Sequence, residues 1–140
     1  MRSATILFAS STLAACTGGA ADTANTQPFA AIGIEETVRF VGTEPFWGGE
    51  VTGTSLTYST PQHADGTVIP VERFAGNNGL SFSGQFEGAA FDLMVTPGTC
   101  SDGMSDRSFP FVATLKLGGQ DPLSGCAWTD TQPFEGPRNP

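Results

Sequence analysis

Apolar and polar residues alternate with a period of two along the middle of the chain. Phe91, Leu93 and Val95 alternate with Asp92 and Thr96, and the same period covers residues 80–86 and 109–117. Because successive side chains of a strand point to opposite faces, this period predicts strands with one buried face. Shorter strand-like runs lie on the N-terminal side: "TVRFVG", "PFWGGEV", "SLTYST" and "TVIPVERF". Pro70 places the last of these at a sheet edge, because proline has no N–H to donate to a ladder.

Turn-forming segments separate these runs: "TGTS" at 52–55, "NNG" at 77–79, "EGAA" at 87–90 and "GGQD" at 118–121. Asn78-Gly79 and Gly118-Gly119 supply the positive φ that tight hairpins require. No long stretch carries a helical stripe. We therefore predict an all-β fold, a small antiparallel β-barrel or a compact sandwich of about seven to eight short strands. The barrel is favoured because closure removes edges that aggregate.

The first sixteen residues, "MRSATILFASSTLAAC", have the plan of a secretory signal peptide. Arg2 precedes a short apolar run, and small residues precede Cys16. The run is too short for a permanent membrane span. The segment 13–16, "LAAC", resembles the lipobox of bacterial lipoproteins, which implies cleavage before Cys16 and its acylation, with Thr17 favouring the outer membrane of a Gram-negative cell facing the periplasm. The alternative is a soluble secreted protein with a chance cysteine.

Composition divides the rest of the chain. We expect a signal peptide at 1–15, a lipid-anchored flexible tether rich in small and polar residues at 16–34, a single β-barrel domain at 35–129 and a turn-rich tail at 130–140. With Cys16 assigned to lipid, Cys100 and Cys126 remain as an even pair in an oxidising compartment, where a disulfide is the default.

The charge of the chain limits its partners. Its formal net charge is −8, and loss of residues 1–15 removes one base and no acid. Such a surface repels nucleic acid and anionic lipid headgroups, so we expect neither as a partner beyond the lipid anchor. A basic protein partner stays open. The alternative is that acidity only maintains solubility.

The stretch "TPGTCSDGMSDRSFPF" at 96–111 holds most of the polar candidates. One interpretation makes it a binding loop, and another makes it a structural connector whose serines and aspartates accept hydrogen bonds from their own backbone. Asp102 and Asp106 also suggest acid/base chemistry or a calcium turn, but the ligand spacing of a calcium loop is missing. We expect no catalysis, metal or cofactor, because the only histidine, His63, lies in an unrelated loop. The candidate residues of this site are Glu44, Trp47, Ser101, Asp102, Met104, Ser105, Asp106 and Arg107.

Two stretches, "GTEPFWGGEV" at 42–51 and "TPGTCSDGMSDRSFPF…LGG…LSGCAW" at 96–128, resemble a family of small bacterial envelope lipoproteins of uncharacterised activity. Phe109 stands where that family's pattern has Tyr. Both motifs belong to the same family pattern, and if they meet in space, Glu44 is an ion-pair partner for Arg107. We expect Trp47 in the core, because a Phe-Trp pair at a strand start often plugs a small barrel, and Trp128 over the disulfide.

The expected function is that of a lipid-anchored, non-catalytic binding or structural module of the cell envelope. The alternative is an inhibitor of c-type lysozyme that protects peptidoglycan. It rests on a looser analogy to membrane-bound lysozyme inhibitors, which are also small disulfide-containing β-barrel lipoproteins. In that case Ser101, Ser105 and Arg107 would face the enzyme, and the acidic chain would be steered toward a basic target.

Overall fold

The computed structural model describes residues 27–138, so the predicted signal peptide and Cys16, the predicted acylation site, lie outside the described residues. Within them the chain forms nine β-strands. These are β1 Val38–Thr43, β2 Phe46–Thr52, β3 Ser55–Thr60, β4 His63–Pro70, β5 Glu72–Ala75, β6 Leu80–Phe86, β7 Ala89–Cys100, β8 Phe109–Leu117 and β9 Leu123–Trp128. Residues 27–138 contain no helix long and apolar enough to cross a membrane.

All nine strands belong to one antiparallel sheet in the order β4-β3-β2-β1-β9-β8-β7-β6-β5. All neighbouring strands are consecutive in the chain except β1 and β9, while the consecutive β4 and β5 lie at the two ends of the order; the sheet curls into a nearly closed barrel. The predicted all-β barrel is confirmed. The strand number exceeds the predicted one because "TVIPVERF" forms two strands: Val71 is buried between them and donates its N–H to the Thr54 carbonyl at 2.9 Å. Both strands lie at sheet edges, as Pro70 predicted.

The alternating pattern fills the barrel interior. The alternating apolar residues of β6, β7 and β8 are almost fully buried, except Phe86 and Leu117 at the strand ends, which are partly buried. The β6–β7 hairpin turns at Glu87-Gly88, where φ is 49° and 79°. Two positive φ values define the primed turn whose twist matches that of paired strands. The largest buried side chains are Phe40, Trp47, Phe82, Phe91, Phe109 and Phe111.

The barrel closes at a seam between β4 and β6, where β5 is too short to cover all of β6. A Cβ added at Gly84 of β6 would lie 2.6 Å from the Pro70 carbonyl oxygen and 3.0 Å from Ile69 Cγ2. The two backbones therefore approach as closely as glycine allows. Pro70 leaves no backbone donor unpaired at this position, because proline has no N–H.

Replacing Gly84 by Val is expected to push β4 and β6 apart at the seam. The added side chain meets backbone, which cannot move aside, so unfolding free energy should fall by about 3 kcal/mol. Urea denaturation followed by circular dichroism measures the loss. Gly98→Val is the matched control, because a Cβ there lies 3.5 Å from the nearest atom, a side-chain methyl. Equal stability of the two variants would contradict this description of the seam.

The domain is longer at both ends than the sequence predicts. Phe29 donates its N–H to Gly76 at 2.7 Å, and Ile32 is 1% exposed, so the end of the expected tether packs on the barrel. At the other end, Glu135 pairs with Ser108 across an isolated bridge. Packed residues therefore lie on both sides of the predicted 35–129 domain. Phe29 and Ile32 lie in a run of small and apolar residues, and Phe134 lies in a turn-rich segment, and neither segment has the period of a strand.

Candidate functional site

Residues 100–107, here called the flap, connect β7 to β8 and lie against the outer face of β1 and β9. Cys126 alternates with the inward Ala127 and therefore faces outward, opposite Val41 and Val112. It is nevertheless 0% exposed. The disulfide to Cys100, with a Cα–Cα distance of 5.6 Å, fastens the start of the flap over it. The predicted disulfide is confirmed, and its structural effect is to hold a loop against the side of the barrel.

Asp102 organises the flap from within. Its Oδ1 accepts the backbone N–H groups of Met104 at 3.0 Å and Ser105 at 2.8 Å, and its Oδ2 accepts the Ser105 hydroxyl at 2.7 Å. The hydrogen bond from the Ser105 N–H is the main cause that lowers the pKa of Asp102. The carboxylate is thus held ionised and its oxygens are occupied. These bonds agree with the structural interpretation of the loop and leave Asp102 poorly suited to donate a proton.

Replacing Asp102 by Asn is expected to destabilise the flap at neutral pH. Because the pKa of Asp102 in the folded protein lies below the ordinary 3.8, its contribution to stability is complete above that value and is lost as pH falls through the lowered pKa. The difference between wild type and variant should be on the order of 1 kcal/mol near pH 7 and should shrink in acid. Thermal unfolding at several pH values measures it. Asp106→Asn on the same flap is the control, and a deficit that stays constant into acid would contradict the assignment.

Thr43 links the two sequence motifs. Its hydroxyl donates to the Asp102 carbonyl at 3.0 Å, which ties the β1–β2 turn to the flap. The predicted ion pair between Glu44 and Arg107 is wrong. Arg107 instead donates through Nε to the Pro137 carbonyl at 2.8 Å and through Nη2 to the Arg138 carbonyl, with its guanidinium 4.5 Å from the Phe134 ring centroid. The C-terminal segment competes for Arg107, and nothing in the sequence pattern reveals that.

Trp47 lies in the core, as predicted, with 1% of its surface exposed. Its indole covers two glycines: a Cβ at Gly42 would fall 2.0 Å from Nε1, and a Cβ at Gly125 would fall 2.9 Å from Cζ2. The "GTEPFW" and "GCA" segments thus meet around this one ring. Within residues 27–138 no acceptor pairs with its Nε1.

Trp128, expected over the disulfide, belongs to an aromatic cluster. Its ring centroid lies 5.3 Å from that of Phe109 and 5.6 Å from that of Phe134. Phe109 lies opposite Cys100 in the β7–β8 pairing, so the cluster is next to the start of the flap. Phe134 escaped the sequence analysis because it lies in a turn-rich segment without alternation.

A groove of about 500 Å³ runs between the flap and the β1–β2 and β8–β9 turns. Glu44, Met104 and Leu123 line it, with Asp102 and Thr43 below. Met104 is 79% exposed, and Phe46, opposite Thr43 on the adjacent strand, is 55% exposed. The charged side chains that line the groove, Glu44 and Asp102, are both acidic, and Arg107 is held by the C-terminal segment instead. The result is a fixed surface with apolar tips and negative charge.

The remaining candidates are internal to the flap. The Ser101 hydroxyl accepts the Gly103 N–H at 3.2 Å, and Ser105 bonds to Asp102. Asp106 is exposed. Among the described residues no group of three or more His, Cys, Asp or Glu side chains is placed to hold a metal ion.

Comparison with known protein families, with curated proteins and with solved structures found no match for this chain. The resemblance of its two motifs to envelope lipoproteins therefore stays a prediction. What the structure defines is a class of fold: a nearly closed antiparallel barrel with a disulfide-fastened flap on its side.

Proposed function

We propose that this protein is a lipid-anchored, non-catalytic binding module of the cell envelope whose partner docks on the flap groove. The observation that carries the proposal is the construction of the flap. The disulfide, the Thr43 bond and the Asp102 bonds fix it in place, yet Met104 projects from it into solvent. Phe46, opposite Thr43, is exposed as well, so the apolar exposure beside the groove is clustered rather than scattered, which is typical of an interaction surface.

The polar groups of the flap support binding over chemistry. Asp102, Ser101 and Ser105 are used to hold the backbone, and the lowered pKa of Asp102 opposes a role as a general acid. Glu44 stays available on the groove. An apolar contact at Met104 beside an acid fits a partner that presents apolar and basic side chains together.

Site-specific crosslinking tests the surface. A photoactivatable residue at Met104 should capture a partner in intact cells, while the same residue at Val68 should not. Val68 is the matched control because it is 65% exposed on the edge strand β4, away from the flap. The purified partner should then bind wild type more tightly than Met104→Ser or Glu44→Gln, and high salt should weaken it. Equal capture from both positions, or no effect of either substitution, would refute the proposal.

The anchor has its own test. Replacing Cys16 by Ser should abolish incorporation of radiolabelled palmitate and move the protein from the membrane fraction to the soluble fraction, because the acyl chains supply the membrane affinity. Circular dichroism of the variant checks that the domain still folds. Unchanged labelling of the variant would refute lipidation at this residue.

Inhibition of c-type lysozyme is the second candidate. The acidity of the groove favours it, since a basic enzyme is attracted to such a surface. The side chains expected to reach the enzyme are occupied, however: Ser101 and Ser105 within the flap and Arg107 by the C-terminal segment. Unchanged lysis of cell walls at a large excess of the protein would end this candidate.

A further inference from the structure

The C-terminal segment builds a second concave surface, separate from the flap groove. After β9 the chain turns at Thr129, whose hydroxyl accepts the Gln132 N–H at 3.0 Å, and returns alongside β8 to the Ser108–Glu135 bridge. A cleft of about 480 Å³ opens between β9 and the returning segment. This volume is in the range of small-molecule sites, roughly 300–1,000 Å³. Below it is called the C-terminal cleft.

Aromatic rings form one part of its lining. Trp128 and Phe134 meet edge to face, with an interplanar angle of 80°. Phe109 supports Trp128 from the barrel side, and the Arg107 guanidinium covers Phe134. Trp128 is thereby held in one orientation while part of its surface stays exposed in the cleft.

Two charged side chains, Asp130 and Arg138, form the rest of the lining. Asp130 accepts Arg39 Nη1 at 2.7 Å through Oδ1, and Arg39 also approaches Glu50 at 3.6 Å. The Oδ2 atom of Asp130 has no partner within residues 27–138. Arg138 lines the opposite side, and its guanidinium makes no ion pair with a described residue. The cleft thus offers an acceptor and a forked donor on either side of an aromatic surface.

This combination selects a class of ligand. A cation would be repelled by Arg138, and an anion would be repelled by Asp130. An apolar molecule would remove both charged groups from water without replacing their hydrogen bonds. A pyranose has an apolar face of C–H groups and an edge of hydroxyls that donate and accept. We infer that the C-terminal cleft binds a neutral saccharide, with the sugar face on Trp128 and its hydroxyls bonded to Asp130 and Arg138.

The inference does not rest on the flap groove. Tryptophan emission reports directly on ligand binding in the C-terminal cleft. The chain has two tryptophans, and Trp47 is buried, so a ligand-induced change arises from Trp128. Chitotetraose and cellotetraose are titrated into the full-length chain in detergent. At least one should change the emission, and Asp130→Asn and Arg138→Gln should each weaken its binding by about tenfold.

Matched controls carry the same chemical changes elsewhere. Asp121→Asn and Lys116→Gln remove one acid and one base on exposed positions at or before the β8–β9 turn, and both should bind the tetrasaccharide like wild type. Met104→Ser should also bind it normally, which separates this site from the flap groove. Amide shifts in residues 128–138 locate the site without depending on the variants. The inference is overturned if neither tetrasaccharide alters emission or amide shifts at millimolar concentration, or if binding survives both cleft substitutions unchanged.

Discussion

Gly42→Ala is expected to lower the free energy of unfolding by about 3 kcal/mol, although it adds a single methyl group. The new Cβ would lie 2.0 Å from Trp47 Nε1 and 2.3 Å from Cε2. The indole cannot retreat without displacing its neighbours, since it is 1% exposed and its centroid is 5.9 Å from that of Phe40. The loss is a large share of the 5–15 kcal/mol typical of a domain.

A double-mutant cycle isolates the cause. Trp47→Leu alone should cost about 3 kcal/mol through the volume it removes. In that background Gly42→Ala should cost much less, because the ring that it strikes is gone, which gives a coupling on the order of 2 kcal/mol. Gly119→Ala is the control: a Cβ there meets nothing within 4 Å, so stability should be unchanged. Additive losses in the cycle would show that Gly42 is required for another reason.

Removal of the disulfide in Cys100→Ala/Cys126→Ala should lower stability by about 3.5 kcal/mol. The bond closes a loop with a sequence separation of 26, and a cross-link of that length restricts the unfolded chain by about this amount. The structure adds a local effect, because the bond also fastens the flap over the outer face of β9. Without the disulfide, the free energy needed to open the flap should be lower than the free energy needed to unfold the barrel.

Hydrogen exchange distinguishes the two effects. In wild type the Met104 and Ser105 amides, held by Asp102, should be protected, and in the double variant they should exchange faster than the amides of β7 and β8. Urea denaturation gives the global loss in the same samples. If the protection of the flap amides falls only as much as global stability does, the disulfide acts on the unfolded chain alone.

The alternation of apolar residues predicted the strands because period two reports directly on burial. The alternation predicted β6, β7, β8 and the barrel. The cysteine count predicted the disulfide between Cys100 and Cys126. The division of "TVIPVERF" into β4 and β5 was not predictable, since it depends on where Val71 finds a hydrogen-bond partner across the sheet.

The site was predictable in position but not in its contacts. The crowded polar residues marked 96–111 as a loop with internal hydrogen bonds, and Asp102 makes them. The partner of Arg107 could not be predicted, because Pro137 and Arg138 offer backbone carbonyls, which carry no side-chain signature. Thr43 had a signal, since it stands in the "GTEPFW" motif, but a hydroxyl gives no indication of which carbonyl it meets.

The pairing of β1 with β9 sets the order in which the barrel can form. Every other neighbouring pair joins strands that are consecutive in the chain, so these pairs can form as hairpins while the polypeptide is still incomplete. The ring lacks its last junction until residues 123–128 are present. The packing of Trp47 against its two glycines also needs Gly125, so this part of the core is completed in the same step. A chain exported as proposed would then stay open while it crosses the membrane and would close only once its final strand has arrived.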